Sequence, residues 1–286
     1  MALPIFATPQ FTIMKPRFIS LATLNYNFRR PTKCKATYEV ANDHSQTIHR
    51  RSSKFQPSIW TDDYIQSLNS EYKGEIYVEN RRGLMEEVRM MFWKMENEVD
   101  QLEFINVLQR LGVAYHFTNE IKNILDNIYN TQSSKLKNNL YATSLKFRIL
   151  RQHGYDISPD IFVSFQEEIC NFKKVQFDNV EGMLSMYEAS FYSFEDETIL
   201  DEAGDFTSKF LKEYLNQNGA NHPMSLQISH ALEFPLHWTV NRWEARWFID
   251  MYETQQNKSD VLLQFAKLDF NIIQSIYKED LKCASR

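Results

Sequence analysis

Residues 84–102 read LMEEVRMMFWKMENEVDQL. Within this stretch, apolar side chains recur at steps of three and four residues, at Leu84, Val88, Met91, Met95, Val99 and Leu102. An α-helix turns once in about 3.6 residues, so this spacing places them all on one face. The stretch therefore predicts an amphipathic helix with a single apolar stripe.

The same periodicity recurs further along the chain and predicts an all-α fold. A second stripe comprises Phe117, Ile121, Ile124, Leu125 and Ile128. Residues 261–281 carry a third, wider apolar face that needs neighbours to cover it. The 286 residues contain only 7 Gly and 8 Pro, which favours helices over a fold built from many short strands and turns.

Local signals predict where several helices begin and end. Gly154 is expected to cap a helix that starts near Tyr141. Ser158 is expected to be the N-cap of the next helix, with Pro159 at its first position. Polar residues at 130–134 and 216–219 predict breaks between helices.

Charge is unevenly distributed along the chain. Residues 1–38 contain six basic residues and no acid, so all 37 Asp and Glu residues lie after them. The body is therefore more acidic than the net charge of −5 suggests. Nucleic-acid binding needs clustered Lys and Arg, which argues against that class of partner. No apolar run reaches the length that would predict a membrane span.

Residues 1–49 are predicted to be an organellar transit peptide. They are basic and rich in hydroxyl residues, and they lack the compact apolar region of a secretory signal. The alternative is an ordinary disordered tail. The three cysteines contain no CxxC pair, which predicts unpaired thiols in a reducing compartment.

Motifs of several enzyme classes are missing from the sequence. The glycines are too dispersed for a phosphate-binding loop, and HExxH, GxSxG and DxDD are absent. Residues 62–66 read DDYIQ, with Gln66 where a metal-binding DDxxD needs its last Asp. Asp62 and Asp63 are interpreted as a cap and first-turn acids. The acids at 195–197 are interpreted as part of a solvated loop, and those at 201–202 as the start of a helix.

Six local sequences together resemble angiosperm terpene synthases. They are RRx8W at residues 50–60, LQRLGVAYHF at 108–117, FRILRQHGY at 147–155, GML and YEA within 182–189 with LDEA at 200–203, EARWFID at 244–250 with YE at 252–253, and LDFN at 268–271 with EDL at 279–281. RRx8W is typical of the plant monoterpene synthases, which place it directly after a transit peptide.

The resemblance implies a domain order. Residues 50–61 would form an N-terminal strand, 62–236 an α/α barrel, and 237–286 the beginning of the class I metal-binding domain. The family's RxR, DDxxD and NSE/DTE motifs would lie beyond residue 286, so no catalytic set is complete in this chain.

The resemblance also implies an activity. The family ionises geranyl diphosphate with Mg²⁺ (or Mn²⁺) bound by carboxylates, and the metal ligands are expected to be absent from this chain. Arg50 and Arg51 would belong to a strand that covers the active-site mouth beside the diphosphate, with Trp60 packing nearby. The alternative for both arginines is that they only fasten the strand through ion pairs. The location would be the plastid stroma, and association with other chains is left open.

Two other functions compete with this one. The chain could be a non-catalytic truncated or splice product of a terpene synthase gene. Less plausibly, an α/α barrel could hydrolyse carbohydrates with two carboxylates.

Among other charged residues, Arg246 and Asp250 are one turn apart and predict an ion pair, and Arg148 and Arg151 predict surface or inter-helix pairing.

Overall fold

The computed structural model describes residues 58–131, 139–165, 179–218 and 223–285, and these residues contain helices and no strand. The all-α prediction is confirmed. None of the helices in these ranges is both long enough and apolar enough to cross a membrane.

The described ranges contain ten α-helices. Their bounds are α1 Asp62–Ser67, α2 Glu75–Phe92, α3 Glu98–Arg110, α4 Thr118–Asn130, α5 Leu140–Gln152, α6 Val180–Ser190, α7 Thr198–Asn218, α8 Pro223–Glu233, α9 Asn241–Glu253 and α10 Asp260–Ala284. Short 3₁₀ helices lie at Ala114–Phe117, Pro159–Phe165 and Leu236–Trp238.

Polar side chains fix the starts of several helices. Thr61 accepts a hydrogen bond from the backbone of Tyr64 at the start of α1, so Thr61 is the cap and Asp62 and Asp63 are first-turn acids. Asn139 begins α5 in the same way, and Ser259 begins α10. Each such bond satisfies a backbone N–H that the helix leaves free, and a cap is worth about 1 kcal/mol.

The stripe predicted over residues 84–102 is divided between two helices. α2 ends at Phe92, and α3 begins only at Glu98. Asn97 sets the start of α3, because its side chain accepts from the backbone of Asp100 and caps that helix. All of the stripe residues except Val99 belong to or pack against the first apolar core, and they reach it from two helices and the connection between them.

Other predicted boundaries agree with the structure or shift slightly. α5 ends at Gln152 and Gly154 follows with φ +84°, as a C-terminal glycine should. Ser158 accepts from the backbone of Asp160, although the segment it opens is a 3₁₀ helix. The break expected at 216–219 starts later, because α7 runs through Asn218.

The buried apolar residues form two clusters. The first cluster is built from α2, α3, α4, α9 and α10 with part of α5. The second cluster is built from α6, α7 and α8 with the other part of α5. α5 contributes Leu145 and Ile149 to the first and Leu140 and Phe147 to the second, so it lies between them.

Candidate functional site

The three residues predicted for the site are not brought together by the described part of the structure. Arg50 and Arg51 lie outside the described residues. Trp60 is 54% exposed, and its ring stacks on Tyr64 with centroids 5.1 Å apart. The described residues 58–61 of the predicted N-terminal strand form no strand.

A buried charge cluster joins α3, α6 and α9. Arg110 on α3 donates from Nε to Glu244 on α9 at 2.9 Å, and its Nη1 lies 3.4 Å from Glu188 on α6. The guanidinium also lies 4.7 Å from the ring centre of Phe248. Ions this deeply buried are costly to desolvate, so their pairing fixes the relative positions of the three helices.

Two further side chains complete this cluster. Arg148 is 1% exposed, donates to Asn106 at 2.6 Å, and places its Nε 3.6 Å from Glu188. His230 Nε2 lies 2.7 Å from Glu244. Burial raises the pKa of Glu244, but the hydrogen bond with His230 and the charge of Arg110 outweigh it, and the pKa lies below its usual value.

Asp269 on α10 forms a second buried hub. Its carboxylate is fully buried and accepts from Arg81 at 3.1 Å and from the Tyr115 hydroxyl at 2.8 and 2.9 Å, with His116 Nε2 2.9 Å away. Burial acts to raise the pKa of Asp269, yet the bonds with His116 and Tyr115 and the charge of Arg81 hold it below its usual value. The hub ties α10 to α2 and to the 3₁₀ helix after α3.

A third ion pair corrects one interpretation of the sequence. Glu197 was expected in a solvated loop, but Arg151 Nη2 donates to it at 2.6 Å. Arg151 also donates to the backbone oxygens of Ile157 and Tyr192. This pairing lowers the pKa of Glu197. Glu197 does lie in the loop before α7, as predicted, but it is paired with α5 instead of solvated.

An open cleft of about 630 Å³, here termed the arginine cleft, lies beside the charge cluster. Its walls come from α3, α5, α9, α10 and the 3₁₀ helix at Leu236–Trp238. Its charged lining residues are Arg110, Arg148, Arg242 and Glu244. Tyr115, Tyr192 and Tyr277 line other parts of it.

The described residues hold ion pairs rather than a reactive group. No three His, Cys, Asp or Glu side chains in the described ranges are grouped as a metal site would require. The oxygens of Glu244 and Asp269 are already engaged by cations and hydrogen-bond donors. This donor set does not fit Mg²⁺, which needs free carboxylate oxygens.

The contacts that the buried acids make were not predicted from the sequence. Glu188, Glu244 and Asp269 stand in the segments YEA, EARW and LDFN, each an acid among apolar residues. That context signals a buried acid that must find a partner. The predicted pair of Arg246 and Asp250 is confirmed at 2.6 Å.

Comparison with known proteins shows which family the chain resembles. A family model described as "Terpene synthase, N-terminal domain" matches residues 59–232. A myrcene synthase of Quercus ilex is 48% identical over 270 residues, covering 93% of this chain and 45% of that protein. A (+)-alpha-pinene synthase of Cannabis sativa is 47% identical over 285 residues, covering 96% and 46%.

The chain thus spans about half the length of the curated relatives it matches. Both of these relatives are named as chloroplastic proteins, which confirms the plastid location expected from the leader.

Solved structures give the same result for the fold. A limonene synthase with 2-fluorolinalyl diphosphate matches with a TM-score of 0.74 and 39% identity, over 82% of this chain and 44% of that one. An isoprene synthase of Populus x canescens, in complex with three Mg²⁺ ions and a thiolodiphosphate, matches with a TM-score of 0.65 and 36% identity, over 77% and 41%.

Proposed function

Because this chain belongs to the terpene synthase family, we propose that it is the N-terminal part of a plastid monoterpene synthase that acts on geranyl diphosphate. The observation that carries the proposal is the family match over residues 59–232, together with 47–48% identity to synthases of myrcene and pinene. Residues 1–49 are proposed to be removed as a transit peptide.

The described helices act in this proposal as a scaffold. Ionisation of a diphosphate ester needs cations to stabilise the charge on the leaving group. The described acids do not fit a metal site, so no catalytic step is assigned to them. Their ion pairs instead fix α9 and α10, whose segments belong to the proposed beginning of the metal-binding domain.

Arg50 and Arg51 are the residues of this chain proposed to contact the substrate. A guanidinium about 4 Å from a diphosphate oxygen contributes on the order of 4 kcal/mol when it is partly shielded from water. The two arginines would hold the leaving group near the allylic cation and so favour isomerisation and cyclisation. Trp60 would pack against the strand that carries them.

A chimera tests the proposal. Residues 50–286 would replace the matched part of the Cannabis sativa pinene synthase, and products from geranyl diphosphate and Mg²⁺ would be measured by gas chromatography. We expect cyclic monoterpenes. Replacing Arg50 and Arg51 by Ala should lower the cyclic share about tenfold, which corresponds to about 1.4 kcal/mol. Lys54→Ala, close by in sequence, is the matched control and should have no effect.

Two outcomes would contradict the proposal. The first is a folded chimera that forms no monoterpene while the parent synthase is active. The second is robust monoterpene formation by the 286-residue chain alone, which would show that the chain already contains a working metal site. Equal product ratios for the Arg50/Arg51 double variant and for Lys54→Ala would remove the role of the arginines only.

A further inference from the structure

We propose that the arginine cleft binds a small molecule that carries a phosphate or diphosphate group, at a site that holds its ligand without metal. This binding is separate from the proposed synthase chemistry. The phosphate group would lie beside Arg242, at the start of α9. The organic part of the ligand would contact the wall of the cleft that Tyr277 lines.

The charge balance of the cleft is the first reason. Arg110 and Arg148 are matched by two acids: Glu188 lies near both guanidinium groups, and Glu244 is bonded to Arg110. Arg242 makes no ion pair among the described residues. Its Nη2 donates to the backbone oxygen of Phe270 at 3.2 Å, and its guanidinium lies 4.7 Å from the Phe270 ring centre. One positive charge therefore remains for a ligand.

The acids nearby do not cancel this charge. Glu244 lines the cleft, but one of its oxygens is bonded to Arg110 and the other to His230. Asp269 is fully buried and is held by Arg81, Tyr115 and His116. Both carboxylates are engaged by their own partners, so an anion beside Arg242 meets a net positive local field.

Unsatisfied donors are the second reason. Four buried side-chain atoms among the described residues have no hydrogen-bond partner, and three of them belong to residues that line this cleft. Two of these three are donors, the Nε of Arg242 and the Nε of Arg148, which lies 3.6 Å from Glu188 in an ion pair, and the third is an acceptor, Gln109 Oε1. Arg242 Nε therefore has no acceptor among the described residues, which favours a ligand that brings acceptor oxygens to this guanidinium group.

The start of α9 adds to the same field. Val240 precedes the helix and provides no side-chain cap, and Asn241 and Arg242 of the first turn both line the cleft. An uncapped helix start carries a partial positive charge and free backbone N–H groups. A helix start of this kind favours an anion over a cation in the adjoining part of the cleft.

Gly112 keeps this wall of the cleft closely packed. Its φ is +73°, and a Cβ at this position would meet the Cβ of Ala245 at 2.9 Å and Arg242 Nη1 at 3.7 Å. Only glycine adopts this conformation without strain and leaves the space. A larger residue at position 112 would therefore push α9 away from the end of α3.

The volume and the remaining lining define the ligand class. About 630 Å³ is within the usual range for small-molecule sites. Leu236, Ile273 and Tyr277 form an apolar and aromatic wall, while Gln152 and Asn241 are polar. An organic phosphate with an apolar group matches both parts, whereas an inorganic diphosphate would use only the cationic part.

Isothermal titration of the 286-residue chain in EDTA, first with sodium diphosphate and then with geranyl diphosphate, tests the site. We expect a dissociation constant below about 1 mM for both, as for an anion held by charge-assisted hydrogen bonds. Tighter binding of geranyl diphosphate would show that the apolar wall contributes. Equal binding would restrict the site to the diphosphate group itself.

Arg242→Gln and Arg246→Gln form a matched pair on α9. Arg246 is exposed and paired with Asp250, so its loss should leave binding unchanged. Arg242→Gln should weaken binding about tenfold or more. Arg242→Lys, which retains the charge and loses the planar fork, should give an intermediate affinity. Circular dichroism would verify that each variant is folded.

The proposal is overturned if the folded wild-type chain binds neither ligand when the ligand concentration is about five times 1 mM. It is also overturned if Arg242→Gln and Arg246→Gln weaken binding equally, because the anion would then be held by general surface charge. The titration needs no turnover and no metal. A failure here would leave the chimera test of the proposed synthase unaffected, and the reverse also holds.

Discussion

At the scale of single residues, the described part of this protein depends on buried acids that have several partners each. Asp269 is the clearest example, because one carboxylate connects Arg81, Tyr115 and His116 from different parts of the chain. A buried charge without partners would cost several kcal/mol. The three contacts therefore make the position of α10 depend on one side chain.

Asp269→Asn should destabilise the protein strongly. Removing one partner from a buried ion pair costs about 3–5 kcal/mol, because Arg81 keeps its charge without a counterion. Asp250→Asn, which breaks an exposed pair on α9, should cost about 0–1 kcal/mol. Urea unfolding at neutral pH measures both. Similar losses for the two variants would show that the buried hub is not a special source of stability.

The lowered pKa of Asp269 also predicts how the stability difference between wild type and Asp269→Asn depends on pH. Between the folded and unfolded pKa values the unfolded chain binds more protons, so the free energy of unfolding rises with pH and levels off above about 3.9, the ordinary value for Asp. The contribution is lost as pH falls through the folded pKa. The difference in stability between wild type and Asp269→Asn should therefore narrow in acid.

At the scale of elements, α10 is packed into the core in its N-terminal half and is more exposed in its C-terminal half. Phe265 is fully buried and its ring lies near those of His116 and Phe117. Ile276, three turns later, is 48% exposed. The N-terminal half of the helix therefore contributes more to the core than the C-terminal half.

Phe265→Ala and Ile276→Ala test this division on one helix. Removing a buried Phe side chain leaves a cavity and costs about 3–5 kcal/mol. Removing an exposed Ile side chain should change stability by about 0.5 kcal/mol or less. Thermal unfolding by circular dichroism would compare them. A large loss for Ile276→Ala would mean that its face is covered in solution.

The sequence predicted element type well and element junctions less well. The stripe from Leu84 to Leu102 correctly indicated buried helix, yet its spacing could not reveal the break before Asn97. Apolar periodicity can continue in register across a short connection, and the local capping bond at Asn97 decides where the helix restarts. Glu197 was misplaced for a related reason, since its partner Arg151 is 46 residues away in sequence.

The site was less accessible to sequence reasoning than the fold. Arg242 carries no motif of its own, and its significance comes from its lack of an acid partner in the part of the chain that the structure describes and from the closeness of Gly112. Both are properties of packing between α3 and α9. Spacing along the chain could predict the exposed pair of Arg246 and Asp250, because they belong to one helix, but not contacts between helices.

At the scale of the described helices together, α5 links the two apolar clusters. Its Leu145 and Ile149 belong to the first cluster, and its Phe147 belongs to the second. If one cluster unfolds, the apolar side chains of α5 that packed against it become exposed to water, and α5 is then a less stable part of the other cluster. The two clusters should therefore unfold together, although they are built from different helices.

Phe210→Ala on α7 tests this coupling. Phe210 lies in the second cluster and is almost fully buried, so its loss should cost about 3–5 kcal/mol. Trp247 packs against the first cluster, whereas the ring of Trp238 contacts Phe191 beside the second, so the experiment uses a Trp238→Phe background in which tryptophan fluorescence reports mainly on the first cluster. If α5 couples the clusters, fluorescence and far-ultraviolet circular dichroism should shift to lower denaturant by the same amount.

Leu226→Ala, at an exposed position on α8, should shift neither. A variant whose circular dichroism shifts while its fluorescence transition stays in place would mean that the clusters unfold independently, and that α5 does not transmit the loss of one core to the other.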